Sequence, residues 1–149
     1  MEGVKVLLVG QPNSGKSSLL NALAGAKAIV SNYPGTTVEV TKAQTLLERV
    51  KVEIIDTPGI YSLSDATLEE TVTKEYILEG DYDLVVNLVD ATSLERGLYL
   101  TLQLRETGIP LIVALNFVED ARRKGLLINI TKLTDALGAP VITINPLTG

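Results

Sequence analysis

Val4-Lys5-Val6-Leu7-Leu8-Val9 empties directly into Gly10-Gln11-Pro12-Asn13-Ser14-Gly15-Lys16-Ser17-Ser18. An apolar run of strand length followed by G-x-x-x-x-G-K-S is the pattern of a phosphate-binding loop between a strand and a helix. Gly10 and Gly15 reach backbone conformations closed to residues with a Cβ, so successive N–H groups turn inward and form a concave nest for anionic oxygens. Lys16 brings a full positive charge to the outer phosphates, and the Ser17 hydroxyl is placed to join the shell of a magnesium ion. The helix that opens here aims the positive end of its dipole at the same anion. The bland alternative is a glycine-rich turn; four fixed positions directly after a buried-type strand favour the phosphate reading.

The composition narrows the chemistry around that loop. A chain of 149 residues is one domain by size, with a core large enough to need no staples. The net charge of −5 disfavours a broad nucleic-acid surface, which needs clustered Lys and Arg. Cysteine and histidine are absent, which removes disulfides, thiolate and imidazole catalysis and the usual transition-metal sites. Any bound metal must then be hard and oxygen-ligated. The longest apolar stretches, around Leu84–Val89 and Leu111–Leu115, have strand length and fall well short of the roughly 18–20 residues of a membrane helix. No signal-peptide pattern opens the chain. The expectation is a soluble, cytosolic domain that does not itself insert into a membrane.

Downstream, Leu19, Leu20 and Leu23 share a helix face, with Gly25 as its expected C-terminal cap. Residues 28–37 lack helical periodicity and read as a loop around Pro34-Gly35, followed by two hydroxyls, Thr36 and Thr37. Val38–Thr41 alternates like a strand and Val50–Asp56 reads as another, the two joined by a hairpin. Asp56-Thr57-Pro58-Gly59 closes that strand, placing an acid at the rim where α/β sheets bind ligands. Thr67-Leu68-Glu69-Glu70 and Thr92-Ser93-Leu94-Glu95 predict capping boxes for two helices, ending near Gly80 and at Gly108-Ile109-Pro110. The segment Ile60–Asp65 between strand and helix is expected to be mobile. Leu111–Leu115 delivers Asn116-Phe117-Val118-Glu119-Asp120 as a candidate base-reading loop. Arg122, Arg123 and Lys124 form a last helical turn before Gly125, a solvated end or else a membrane-surface or partner contact. Thr131–Leu137, capped by Gly138, predicts a short helix, and Pro140–Ile144 a final strand before Asn145-Pro146-Leu147. Strands alternating with helices argue for an α/β fold: a mostly parallel, six-stranded sheet with helices on both faces.

With these loops converging on one rim, the chain resembles the guanine-nucleotide-binding (G) domains of translation-factor-like P-loop GTPases, through G-x-P-N-x-G-K-S, a threonine loop, D-x-P-G and an N-x-x-D-like loop. The closer likeness is to the N-terminal G domain of the ferrous-iron transporter B (FeoB) family. It rests on Gly10–Ser17, on Asn32-Tyr33-Pro34-Gly35-Thr36-Thr37-Val38-Glu39 and on Asp56-Thr57-Pro58-Gly59-Ile60-Tyr61-Ser62-Leu63. The resemblance implies a GTP- and GDP-binding switch over residues 1–149, with Lys16, Thr36, Thr37 and Gly59 serving hydrolysis. It implies magnesium held by Ser17, Thr37 and Asp56. A potassium ion beside Asn13 is implied too, although Asn13 has a duller role in shaping a left-handed turn. The nucleotide would be bounded by Gly10–Ser18, Gly35–Thr37, Asp56–Gly59, Asn116–Asp120 and Asn145–Leu147. In the family, a helical domain and a membrane channel follow, so the resemblance puts this segment at the cytoplasmic face of a membrane, with those parts as partners and a homo-oligomer compatible with it. No nucleic acid is implied.

Two departures from the family pattern carry consequences. Glu119 stands where N-x-x-D has its aspartate, so either the loop adjusts to the longer acid or Asp120 takes the role. A lost carboxylate contact would cost about 1.5–3 kcal/mol. The family pattern continues from the last loop into a final helix whereas this sequence stops at Gly149, so the expectation is a truncated piece or an exposed apolar flank. In addition, Ile60 occupies the place where other GTPases carry a water-orienting glutamine, which predicts slow hydrolysis. The readings in competition are a hydrolysing switch, a nucleotide-binding module with negligible hydrolysis, a soluble ribosome-assembly GTPase and, because of Glu119, an ATPase.

Overall fold

β1 (Val4–Gly10) is apolar on both faces because it lies in the middle of the sheet. The computed structural model describes residues 3–24, 28–64 and 66–145. After β1 come α1 (Lys16–Ala24), β2 (Ala28–Asn32), β3 (Glu39–Leu47), β4 (Val50–Asp56), α2 (Leu68–Glu79) and β5 (Leu84–Asp90). They are followed by α3 (Leu94–Glu106), β6 (Leu111–Asn116), α4 (Val118–Arg123), α5 (Ile130–Leu137) and β7 (Val141–Thr143). Among the described residues the sheet has seven strands in the order β2-β3-β4-β1-β5-β6-β7. It is parallel from β4 to β7 and antiparallel where β3 meets β2 and β4.

The six-strand expectation is therefore corrected to seven. The extra strand is β2, inside the stretch read as a loop. It is an edge strand with Ile29 and Val30 turned to solvent, so no buried alternation marked it in the sequence. The hairpin between β3 and β4 stands as expected, closed by Glu48 and Arg49 at φ 48° and 71°.

The two faces of the sheet are filled by alternate residues of the same strands. Leu7, Val9, Ile55 and Val85 pack beneath α2 and α3 with Val72, Ile77, Leu100 and Leu104. Leu8, Ile54, Leu88 and Ala114 pack beneath α1 with Leu20. A third cluster joins α4 and α5 to β6 and β7. Among the described residues only α1 covers its face, where Val6 and Val86 are half-buried and Ile142 is 48% exposed.

The caps largely follow the sequence. Thr67 accepts from the Glu70 N–H at 3.1 Å, and Gly80 ends α2 at φ 71°. Gly25, the expected cap of α1, lies outside the described residues. The second capping box is replaced by a different device. Asp90 accepts from the Thr92 N–H at 2.8 Å and from the Thr92 hydroxyl at 2.6 Å, capping a 3-10 turn (Ala91–Ser93) that leads into α3. A hydroxyl that donates to Asp90 has no reason to cap the helix itself, and Ser93 makes no side-chain cap.

One buried polar chain ties the site's strand to the core. The Asn87 amide donates to the Val9 carbonyl at 3.0 Å, and the Thr101 hydroxyl donates to Asn87 Oδ1 at 2.5 Å, both side chains fully buried. Thr101→Val leaves that Oδ1 unpaired, and we expect about 1–3 kcal/mol less unfolding free energy by urea titration. Because the two groups act as one unit, adding Asn87→Ala should cost distinctly less than it does alone.

Candidate functional site

The parallel strands end together, so Gly10, Asp56, Asp90 and Asn116 reach one rim; the register aligns Leu8 with Asp56, Gly10 with Leu88 and Asp90 with Asn116. From Gly10 the loop turns through Ser14, whose N–H donates to the Gln11 carbonyl at 3.2 Å. Asn13 and Gly15 sit at φ 66° and 101°. Gly15 then supplies the first carbonyl of α1, accepting from the Leu19 N–H at 2.9 Å. The glycines are required by space as well as by torsion. A Cβ on Gly10 would stand 2.7 Å from the Leu88 carbonyl oxygen, and one on Gly15 would stand 2.2 Å from Asn116 Nδ2.

Asn116 is buried against this loop. Its amide donates to the Ser14 carbonyl at 3.2 Å, and its Oδ1 accepts from the Phe117 N–H at 2.9 Å. The residue at the end of β6 thus braces the phosphate loop, a role its position in the sequence did not reveal. Phe117 stands in the left-handed region at φ 60° and starts α4, so Val118, Glu119 and Asp120 form a first helical turn where a longer loop was expected. Glu119 lies 3.4 Å from Arg122 and Asp120 4.0 Å from Arg123, both pairs exposed. Asp120 also lines an open cleft of about 490 Å³ with Asn13, Asp90, Thr92, Phe117, Arg123 and Lys124. A hollow of about 580 Å³ opens at the other rim, among Val4, Thr45, Leu46 and Val52, and takes no part in this site.

In front of α1, Lys16 Nζ lies 3.4 Å from Asp56 Oδ1, with side chains only 10% and 11% exposed. Burial pushes the Asp56 carboxyl up, and the Lys16 ammonium opposes that shift without cancelling it. Among the described residues, Asp56 Oδ1 and Ser14 Oγ are buried with no hydrogen-bond partner. A buried carboxylate oxygen with only an ammonium near it, beside the accessible Ser17, is an oxygen-donor set that suits a hard divalent cation.

The remaining predicted residues divide. Thr57 is spent in the sheet, its hydroxyl donating to the Leu8 carbonyl at 2.7 Å. Gly59 lies against the phosphate loop, where a Cβ would come within 2.9 Å of Pro12, and the Ile60 N–H donates to the Gly10 carbonyl at 3.0 Å. Ile60 itself is 2% exposed, a core side chain. Thr36 donates its hydroxyl to the Tyr33 carbonyl at 2.8 Å, whereas Thr37 is exposed. The Gln11 side chain donates to the Arg96 carbonyl at 2.8 Å and so docks the loop on α3. Gly35 is open, Ser17 and Ser18 face solvent, and Pro146 and Leu147 lie outside the described residues.

Sequence reasoning missed the bonds that fix the segment after Gly59. The Ser62 and Ser64 hydroxyls donate to the buried Glu70 carboxylate, and the Leu63 N–H donates to Gln103 Oε1 at 2.8 Å. Asp65 lies outside the described residues. The only signal was Glu70 in its capping box, which points to a backbone partner and not to serines upstream.

The comparisons converge on one family. A family model described as ferrous iron transport protein B matches residues 4–149. The Fe(2+) transporter FeoB of Shigella flexneri is 47% identical over 148 residues, and that of Escherichia coli K12 is 46% identical. Each alignment covers 97% of this chain and 19% of the relative, so the chain spans about a fifth of the length of these proteins. Among solved structures, the G domain of the T. maritima FeoB iron transporter superposes with a TM-score of 0.92 at 38% identity, covering 99% of this chain and 91% of that one. A GDP-bound point variant of the S. thermophilus FeoB G domain gives a TM-score of 0.91 at 46% identity, covering 97% of this chain and 55% of that one. The six-strand count aside, the expected P-loop G-domain architecture is the one present.

Removing Lys16 strands Asp56, and the sign of the consequence follows from linkage. A carboxyl whose folded-state pKa is raised carries stability that is complete below its unfolded pKa, about 3.9, and is lost as pH rises through the folded value. Lys16→Ala raises that folded value further. The variant should be about 1–3 kcal/mol less stable than the parent at pH 7 in urea titrations, with the gap narrowing as pH falls towards 4.

Proposed function

The chain belongs to the ferrous iron transport protein B family, and from that premise we propose that it is a guanine-nucleotide switch that binds GTP and GDP and hydrolyses GTP slowly. One observation carries this reading: a loop shaped by Gly10 and Gly15 stands beside a buried Lys16–Asp56 pair on the rim where Asn116 ends β6. The GDP-bound relative supports the ligand assignment.

In this reading the amides of Gly10–Ser18 and the Lys16 ammonium hold the phosphates, while Asn116 and an acid of the first turn of α4 hold the guanine edge. Ser17, Asp56 and Thr37 would hold magnesium, which supplies charge neutralisation across the phosphates. Water attacks the terminal phosphorus, its bond to the bridging oxygen breaks, and GDP and inorganic phosphate leave. Thr37 and the Gly59 backbone orient the reacting groups, and Lys16 offsets charge on the leaving oxygens. Ile60 is committed to the core, so no side chain at that position orients water, and we expect a single-turnover rate on the order of 10⁻³ per second or slower. Asn13, already in a left-handed turn, is free to serve a potassium ion as well. The segment would work at the cytoplasmic face of a membrane and report to the helical and channel parts of a longer Fe(2+) transporter.

The core position of Ile60 also favours a second reading, a regulatory module that binds nucleotide with negligible turnover. Single-turnover assays with and without magnesium and potassium divide the two: phosphate release above buffer supports the enzyme, and none supports the module. Calorimetry tests the binding claim. GDP and GTP should bind at least a hundredfold more tightly than ADP. Either Glu119→Ala or Asp120→Ala should lose about 10–150-fold in GDP affinity, the equivalent of a charged hydrogen bond of about 1.5–3 kcal/mol. Equal affinity for ADP and GDP would overturn the guanine assignment.

A further inference from the structure

The corner between α4 and α5 carries two features that the nucleotide site does not use. Residues 122–127 are exposed without a break, and they read Arg122-Arg123-Lys124-Gly125-Leu126-Leu127. Leu127 is 88% exposed, the most exposed large apolar side chain among the described residues, and Leu126 is 44% exposed. Three cations and two leucines thus share one corner of a chain whose net charge is −5.

The corner is held in shape from both sides. Gly125, at φ 83°, ends α4: its N–H donates to the Arg122 carbonyl at 3.0 Å, and the Leu126 N–H reaches back to the Ala121 carbonyl at 2.9 Å. These are the two bonds of a Schellman cap. On the other side Ile128 packs against the cluster that joins α4 and α5 to β6 and β7, and Asn129 accepts from the Lys132 N–H at 3.0 Å to start α5. Leu127 stands between two anchored neighbours, so its exposure is a property of the fold of the corner. The cations are available as well. Arg122 lies 3.4 Å from Glu119 and Arg123 4.0 Å from Asp120, with all four side chains more than half exposed, and such solvated pairs yield to another anion. Lys124 has no ion pair among the described residues.

A protein partner needs about 800 Å² of surface on each side of a stable contact, and two leucines at a protruding turn offer no such plane. A nucleic acid would answer the cations and leave the leucines in water. An anionic bilayer answers both, because headgroups pair with Lys and Arg while an exposed leucine enters the apolar boundary beneath them. Resting on the proposed place at a membrane and not on the nucleotide, we infer that the α4–α5 corner is a membrane-surface contact, with Leu126 and Leu127 in the interface of an anionic leaflet and Arg122, Arg123 and Lys124 on its headgroups. Arg123 and Lys124 also line the cleft that holds Asn13 and Asp120, so the contact lies beside the candidate base pocket.

Co-sedimentation of the chain with vesicles tests this, using phosphatidylcholine alone and phosphatidylcholine with about a third phosphatidylglycerol. The parent should partition onto the anionic vesicles about tenfold or more above the neutral ones, and added salt should weaken that partition. Leu127→Ser should lower it about three- to tenfold with the urea unfolding midpoint unchanged, since the side chain of the free chain is already in water. Changing Arg122, Arg123 and Lys124 together to Gln should reduce anionic partition to the neutral level. Equal partition of the parent onto both vesicles, or none onto either, overturns the inference. So does anionic partition that ignores Leu127→Ser; retention on soluble polyglutamate that is lost in the triple Gln variant then assigns the corner to an acidic protein. GDP calorimetry on the same parent decides the nucleotide reading separately, so the two failures are told apart.

Discussion

The tightest constraint in the molecule is the seating of the phosphate loop on Asn116. The amide of that side chain holds the Ser14 carbonyl and passes so close to Gly15 that no residue with a Cβ fits there. The Ser14 carbonyl, outside any strand ladder, needs a donor, and Asn116 supplies one from another strand. Gly59 closes on Pro12 from the side of β4, and the Gln11 amide holds α3. The loop is thus fixed from three strands and a helix before any ligand arrives, and such pre-organisation makes a dipole array effective against a developing charge.

The cost of that arrangement is carried by Asp56. A carboxylate so deeply buried is favoured only in part by its ammonium neighbour, and the buried Oδ1 that faces the ammonium makes no hydrogen bond among the described residues. Cores do not retain such groups for stability, since a buried pair seldom outweighs its own desolvation. Under the proposed function the pair is a site waiting for charge: a polyphosphate for Lys16 and a cation for Asp56. Burial and an unsatisfied oxygen together mark a working residue more firmly than either alone.

Much of this was legible in the sequence because it is local. The strand, the glycine spacing of the loop, the Thr67 cap, the Gly80, Gly108, Gly125 and Gly138 stops and the β3–β4 hairpin are each set by residues a few positions apart, and they stand as read. What escaped is long-range. β2 presents no buried face, and its existence depends on β3 accepting it. Asp90 caps a 3-10 turn ahead of α3 because it takes the Thr92 hydroxyl that the capping box would have used. The brace made by Asn116 spans 102 residues and the edge-on ring contact of Tyr33 with Tyr76 about forty, distances over which periodicity carries no signal. Thr57 and Gln11 illustrate the same limit, for a motif position says which loop a residue is in, and only packing says which way its side chain turns.

Ile60 sits beside Gly59 with its N–H on the Gly10 carbonyl and its side chain among the innermost residues of the sheet. A polar group introduced there would enter an apolar wall, so under the proposed function a change at that residue alone would not make a faster hydrolase. In that reading, turnover rate and the integrity of the protein's interior are tied together at this position. In the same reading, acceleration would be supplied from outside the fold, by a cation or by a surface that docks against the exposed threonine.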